Sequence, residues 1–254
     1  MMGGRPLASA HAVGRGTGQP LDRLVRDLWA PAAGPVFPAN PVLRRLVEEK
    51  AFDHDGRRWR AAHRLDADIC TFLGRLIVAQ GISSILEIGT LFGYATLHLA
   101  EAAEATGGHV DTLDLRPEHM LWDRHRSAAP REIRNIHEVA ERLAEEAGLA
   151  RRITFLVGDS NERLPELVRE GRRYGLVLVD GAHDFPSVLL DVIAADWLLE
   201  PGGYLVLDDV GRRIAGRQGT EGGPNRVLES LLASGRFEIL PLSANVALCR
   251  KEAA

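Results

Sequence analysis

Four side chains in the second half of the sequence could do chemistry together: Asp180, His183, Asp208 and Asp209. Asp180 closes the apolar run YGLVLVD, and the Asp208-Asp209 pair closes YLVLDD. Short apolar runs bounded by turn residues read as buried parallel strands. Neighbouring parallel strands present their carboxyl ends on one rim, so the three carboxylates are expected to converge in a crevice there. Three like charges repel, and unless some hold protons the cluster needs a cation. Oxygen ligands with no Cys or second His suit a hard ion, and magnesium is preferred to calcium because it keeps waters that a substrate's oxygens displace. The plainer alternative has Asp180 meeting a ligand's amino group while Asp208 and Asp209 cap the following loop. His183 stands three positions after Asp180. An imidazole titrates near neutrality and can take the proton of a hydroxyl nucleophile; alternatively it is a helix-start histidine bonded to an Asp.

A second set of residues describes a ligand. SILEIGTLFGYATLHLA (84–100) reads as a strand, a turn over Gly89, Thr90 and Gly93, and the start of a helix. Gly89 is expected to allow the sharp turn and Gly93 a close approach to the ligand. The pattern lacks the third glycine of a dinucleotide fingerprint. Glu87 sets a carboxylate where a pyrophosphate would be repelled and a cationic ligand favoured. Asp114 ends the next strand, HVDTLDL, 25 positions after Gly89. A carboxylate at that offset can accept from both ribose hydroxyls; the alternatives are a cap before Pro117, or Asp111 in its place. Gly158, Asp159 and Ser160 end the strand RITFLVGD, with Asp159 or Ser160 as a helix cap.

These residues need a sheet to hold them. The 254 residues, 45% of them hydrophobic, suffice for one large domain with an appendage. Residues 1–20 read as a flexible tail and 21–64 as a helical appendage, with helices in LDRLVRDLWA and PVLRRLVEEKAF. A longer helix is expected over 60–80 and another in EIRNIHEVAERLAEEAGL from near Arg131. PGG (201–203) should make a tight turn, GRRIAGRQGTEGGPN a lid over the rim, and FEILPLSANVALCRK a terminal hairpin. The segment HMLWDRHRSAAP is long for an α/β connection; its Met120, Leu121 and Trp122 are expected to pack over a pocket or against a partner subunit, and its His119 and His125 to be solvated. A net charge of -4 gives no footprint for nucleic acid. Two distant cysteines, with neither a signal peptide nor a membrane span, point to a cytoplasmic setting.

LEIGTLFGY, VDTLDL, VGDS, LVDGAH, LEPGGYLVLDD and the terminal hairpin, taken in order, resemble the class I S-adenosylmethionine-dependent methyltransferases of the metal-dependent small-molecule O-methyltransferase type. The resemblance covers about Leu65 to Lys251. It implies an α/β, Rossmann-like doubly wound seven-stranded sheet with a C-terminal antiparallel hairpin, over a domain of 65–254. It further implies S-adenosylmethionine held by Glu87, Gly89, Thr90, Gly93, Asp114, Gly158, Asp159, Ser160 and Asp180, with the 158–160 turn framing the adenine. Mg2+ or another divalent cation would sit on Asp180, Asp208 and Asp209, with His183 as the base. The catechol type has Lys where this chain has His183, whereas the macrolide-sugar branch has D-x-x-H followed by D-D, so a sugar or other secondary-metabolite hydroxyl is the expected acceptor. The alternatives are a metal-independent enzyme acting on nitrogen or a macromolecule, and a binding protein without catalysis. Trp29, Phe37 and the segment around Trp122 are expected to offer apolar surface to a second copy.

Overall fold

A computed structural model describes residues 19–30, 34–122, 131–211 and 222–253. Helices α1 (Leu21–Trp29) and α2 (Pro41–Glu49) precede a hairpin of β1 (Ala51–His54) and β2 (Arg57–Arg60), then α3 (Ala67–Gln80). β3 (Ser84–Ile88), α4 (Tyr94–Thr106) and β4 (His109–Asp114) make the first βαβ unit. A second hairpin, β5 (His119–Trp122) with β6 (Arg131–Arg134), comes before α5 (Ile136–Glu146). The chain continues through β7 (Ile153–Val157), α6 (Ser160–Arg169), β8 (Tyr174–Val179), α7 (Phe185–Leu198) and β9 (Leu199–Leu207). It closes with α8 (Gly223–Ser234), β10 (Phe237–Pro241) and β11 (Ala247–Lys251).

The central sheet has seven strands in the order β10-β11-β9-β8-β3-β4-β7. Its strands from β7 to β9 are parallel, and β11 runs antiparallel to both β9 and β10. This is the expected doubly wound sheet with its terminal hairpin. Successive side chains point to opposite faces of a strand. Accordingly Ile85, Val110, Leu176 and Val206 enter one apolar core with α3, α4 and α5, while Leu86, Leu113, Val177 and Leu205 enter another with α6, α7 and α8. Burying each such side chain is worth about 1.5–3 kcal/mol, so both faces of the sheet are covered and its carboxyl-end rim is left to bind. Leu21, Leu24 and Leu28 of α1 join the first of these cores.

Several expected boundaries move. The second helix stops at Glu49, where Lys50 turns left-handed (φ 50°), and the next residues pair as a hairpin with His54 opposite Arg57. Segment 21–64 is thus part helix, part strand. The helix expected from 60 starts at Ala67, and the one expected near Arg131 starts at Ile136, because Arg131–Arg134 pairs with His119–Trp122. Pro201–Gly203 lies within β9, as an irregularity opposite Tyr174 to Leu176, instead of forming a separate turn. Trp122 is 2% exposed, edge-on to Phe52 and Phe92, and Phe37 packs against the core at Gly74. Of the surface expected to meet a second copy, Trp29 and Leu121 remain exposed. Most of the tail, His125 and residues 212–221 of the expected lid lie outside the described residues. No helix among the described residues is long and apolar enough to cross a membrane. Cys70 and Cys249 are buried free thiols.

Candidate active site

The rim is built by the sheet ladder running on beyond the strands. Gly158 N donates to Asp114 O (3.0 Å), Gly89 N to Leu113 O (2.8 Å), Asp180 N to Ile88 O (2.9 Å) and Asp208 N to Val179 O (3.1 Å). The residues that follow β7, β3, β8 and β9 are therefore locked side by side, with Asp114 at the end of β4 among them, and their side chains face one cleft.

The turn after β3 is held by Asp114. Its Oδ2 accepts from the backbone N–H of Thr90 and of Leu91, each at 2.9 Å. Leu91 has φ 51°, a conformation that costs a branched side chain energy, and the carboxylate secures it. Asp114 Oδ1 lies 3.8 Å from Nε2 of the buried His137. Asp111, the alternative for ribose, faces away from the rim and accepts from Tyr174 Oη at 2.7 Å. Gly89 has φ 105°, and a Cβ there would strike the Asp180 carbonyl, so the turn requires glycine. Gly93 has φ 81°, but its space is taken by protein: a Cβ would lie 2.8 Å from Ala140 Cβ on α5. It does not line the cleft, which corrects the expected close approach to a ligand. Helix packing explains this glycine.

Glu87 is fully buried, and its Oε2 accepts from Thr112 Oγ1 (2.6 Å) and from Thr96 Oγ1. Its Oε1 has no partner. Burial pushes its pKa up to about 8, against the pull of the two hydroxyls. At neutral pH this side chain is therefore mostly a neutral acid, not the carboxylate expected from the sequence.

Across the cleft, burial first and the facing Asp208 carboxylate second push the Asp180 pKa well up, and the two side chains are hydrogen-bonded to each other. Two carboxylates that bond in this way share a proton. Asp209 is buried on a left-handed backbone (φ 57°), and its Oδ2 lies 3.4 Å from His183 Nδ1. The expected trio is thus divided into an Asp180–Asp208 pair and an Asp209–His183 pair. Among the described residues no three His, Cys, Asp or Glu side chains are arranged to hold a metal ion. The donor set still fits a hard cation: an all-oxygen group whose repulsion is offset here by a proton, at a site where a cation can take that proton's place.

One cavity of about 420 Å³ gathers Glu87, Gly89, Thr90, Asp114, Gly158, Asp159, Ser160, Asp180, His183, Asp208 and Asp209. Asp159 also caps α6, accepting from Asn161 N at 2.9 Å. Of the wall opposite the rim, sequence reasoning missed His63, Arg64 and Leu65. His63, Arg64, Leu65 and Met120 line it; Arg64 donates to Tyr94 Oη at 3.2 Å and lies over its ring. It also missed Asp191 and Ser187 on α7. Asp55-Gly56, a dipeptide suited to a two-residue hairpin turn, was the signal for the strands beside that wall. The separation of Ser187 and Asp191, one helical turn, was the signal for the other pair.

Comparison with known proteins agrees with this geometry. Residues 86–210 match the family model described as a methyltransferase domain. The chain is 29% identical over 157 residues to a catechol O-methyltransferase of Mycobacterium tuberculosis, covering 58% of this chain and 62% of that one. It is 30% identical over 140 residues to a catechol O-methyltransferase of Niastella koreensis, covering 55% and 54%. The chain therefore spans less than two thirds of the length of these curated relatives. Its fold is that of an O-methyltransferase from Bacillus cereus solved with SAH, with a TM-score of 0.64 at 22% identity, covering 85% of this chain and 93% of that one. Residues 86–210, which hold the carboxyl-end cleft from β3 to Asp209, are thus similar to a methyltransferase domain, and the seven-stranded sheet shares its fold with solved O-methyltransferases.

Proposed function

We propose that this protein transfers a methyl group from S-adenosylmethionine to a hydroxyl of a small molecule, with a divalent cation and His183 assisting. The observation that carries this reading is the single cleft in which the Asp114 strap, the 158–160 turn, the Asp180–Asp208 pair and the Asp209–His183 pair all meet. The names of the catechol O-methyltransferase relatives support oxygen as the acceptor atom.

The order of residues along the rim supplies the ligand's axis. Gly158 to Ser160 suit the base, Asp114 the ribose, and the Asp180 side the amino acid end with its sulfonium. Methyl transfer needs the acceptor oxygen in line with the breaking bond, and most of the rate gain comes from holding that geometry. The wall of His63, Arg64 and Met120 faces the place where the acceptor enters. Asp209 orients the His183 ring through Nδ1, leaving Nε2 to take the hydroxyl proton as the new bond forms. Asp180, Asp208 and Asp209 are the residues that would hold a divalent cation, which supplies Lewis-acid activation of the acceptor hydroxyl.

The test is methyl transfer from labelled S-adenosylmethionine to a panel of sugars and catechols, with magnesium and with EDTA. Hydroxyl methylation that EDTA abolishes and magnesium restores is the expected result. His183→Gln should lower kcat by about 100-fold or more, within the range of general-base catalysis, with cofactor affinity unchanged. Transfer to nitrogen or to a protein, insensitive to EDTA, would overturn the metal-assisted reading.

A further inference from the structure

Three of the large apolar side chains left in solvent lie on α7: Leu190 is 50% exposed, Ile193 48% and Trp197 65%. With Pro186, also exposed, they are spaced four, three and four residues apart, which sets them in one stripe along the helix. No other residue of this 14-residue helix is exposed. Its polar side chains are turned elsewhere: Asp191 is buried, Ser187 lines the cleft, and Asp196 is paired with Arg236 and Lys251. A surface helix normally shows charge on its outer face, and one that is apolar on every side is a buried helix. A tryptophan so open to solvent is equally at odds with the high average burial of that residue.

α7 packs between α6 and α8. Charge returns on these neighbours, where Glu162 and Arg169 of α6 and Arg226 and Glu229 of α8 are exposed. An apolar, charge-free centre with a polar border is the anatomy of a protein interface. A helix ridge encloses no small ligand, and a border with both signs on each helix lacks the Lys/Arg excess of a membrane-surface helix. What fits the stripe is the same stripe on a second copy. A 4-3-4 apolar seam is the pattern by which one helix packs into another, and a twofold axis sets a patch against itself. Because each bordering helix carries both signs, that meeting brings no field of like charge together. The three helices form a face about 20 Å by 28 Å, from their rise and usual separation, which is of the order of the roughly 800 Å² per partner that a stable dimer buries.

We infer that α7 is the centre of a twofold dimer interface, in which the stripe of Pro186, Leu190, Ile193 and Trp197 packs on its copy and α6 and α8 form the border. The surface that the sequence offered to a second copy at Phe37 and Trp122 is taken up by the protein's own core, whereas the α7 stripe is exposed.

Sedimentation of the full chain, with tryptophan emission and quenching, tests this. The wild type should be a dimer at micromolar concentration, since interfaces of this size bind at about that strength or better. Ile193→Glu places a charge on both sides of the twofold axis and should leave only monomer. Trp197→Ala should weaken the dimer by about 30-fold or more, the cost of one hot-spot residue. Both sites are exposed, so the circular dichroism of each variant should match that of the wild type. Leu121→Ser, at an exposed position on β5, should leave the dimer intact. The emission that Trp197→Phe removes should be blue and shielded from quencher in the wild type, and red and open in I193E. A wild type still monomeric at about 100 μM, roughly a hundredfold above the weak end of that range, would overturn the inference, whether its Trp197 is open, shielded by another part of the chain, or shielded only on adding lipid vesicles. A dimer that I193E and W197A leave intact would overturn it as well, and one broken by L121S would place the interface on β5.

Discussion

β4 and β8 flank β3 on either side, and an aspartate follows or ends each at the same rim, yet the two carboxylates are satisfied in opposite ways. Asp114 accepts two backbone N–H groups from the turn it faces. Asp180 faces other acids and is hydrogen-bonded to Asp208. The first is a charge already compensated by the fold, so it works as a fixed part of the frame and needs no ligand to settle it. The second is a charge the fold leaves to be compensated, by a proton in the free protein and, on the proposed function, by a cation or a positively charged ligand. One side of the cleft is preorganised, and the other is poised for charge.

The sharpest way to break this contrast is Asp180→Asn. Asparagine keeps the shape and can donate to Asp208, so the repulsion vanishes while the charge that the proposed chemistry needs is gone. Methyl transfer should fall by about 100- to 1000-fold, the usual cost of removing one electrostatic group from an active site. The melting temperature should stay level or rise, and magnesium binding should be lost. Single-turnover rates, calorimetric titration and thermal unfolding check the three together. A variant that melts lower would show Asp180 to be structural, like Asp114.

Asp114→Ala should do the reverse. It strands two N–H groups and frees the strained turn at Leu91, so stability should drop by about 1.5–3 kcal/mol, the range for bonds to a charged group. Affinity for S-adenosylhomocysteine should weaken by about tenfold or more, while kcat at saturation changes little. Denaturant unfolding with cofactor titration tests this, and Asp114→Asn, which keeps one acceptor oxygen, should recover part of the loss. A fall in kcat with intact stability would erase the difference between the two aspartates.

What was legible in the sequence follows the same division. The rim could be read because each parallel strand is a short, continuous apolar run that ends abruptly in Gly or Asp, and adjacency at the carboxyl ends is a property of the fold class. The opposite wall could not be read so directly. Its hairpins have four-residue strands, in which Phe52, Trp59 and Trp122 are buried by packing against residues distant in sequence. EEKAF resembles a helix until Lys50 turns, and propensity yields there to the Asp55-Gly56 turn. The pairing of acids was also beyond the sequence: that Asp208 meets Asp180 while Asp209 meets His183 depends on one left-handed residue. Gly93 shows the limit from the other side, since a glycine correctly expected at the turn is required by Ala140 and not by a ligand.

Between the two aspartates, on β3 itself, Glu87 offers the smallest and most specific test. Its pKa of about 8, against 4.5 for an ordinary glutamate, means that the folded protein holds a proton there that the unfolded chain has lost. Raising the pH through that interval therefore removes stability. His98 works the other way: buried and neutral, with its pKa lowered to about 4 from 6.5, it adds stability as pH rises through that lower interval. The two offset each other below pH 6.5. Between pH 6.5 and 8 the Glu87 effect remains, and amounts to at most about 2 kcal/mol. Scanning calorimetry in half-unit steps should show the melting temperature falling across that window. Glu87→Gln, which cannot ionise, should flatten the fall. A slope unchanged by the substitution would mean that Glu87 is already ionised at neutral pH. Its charge would then belong with the poised side of the cleft, and the division between the two sides would have to be redrawn through β3.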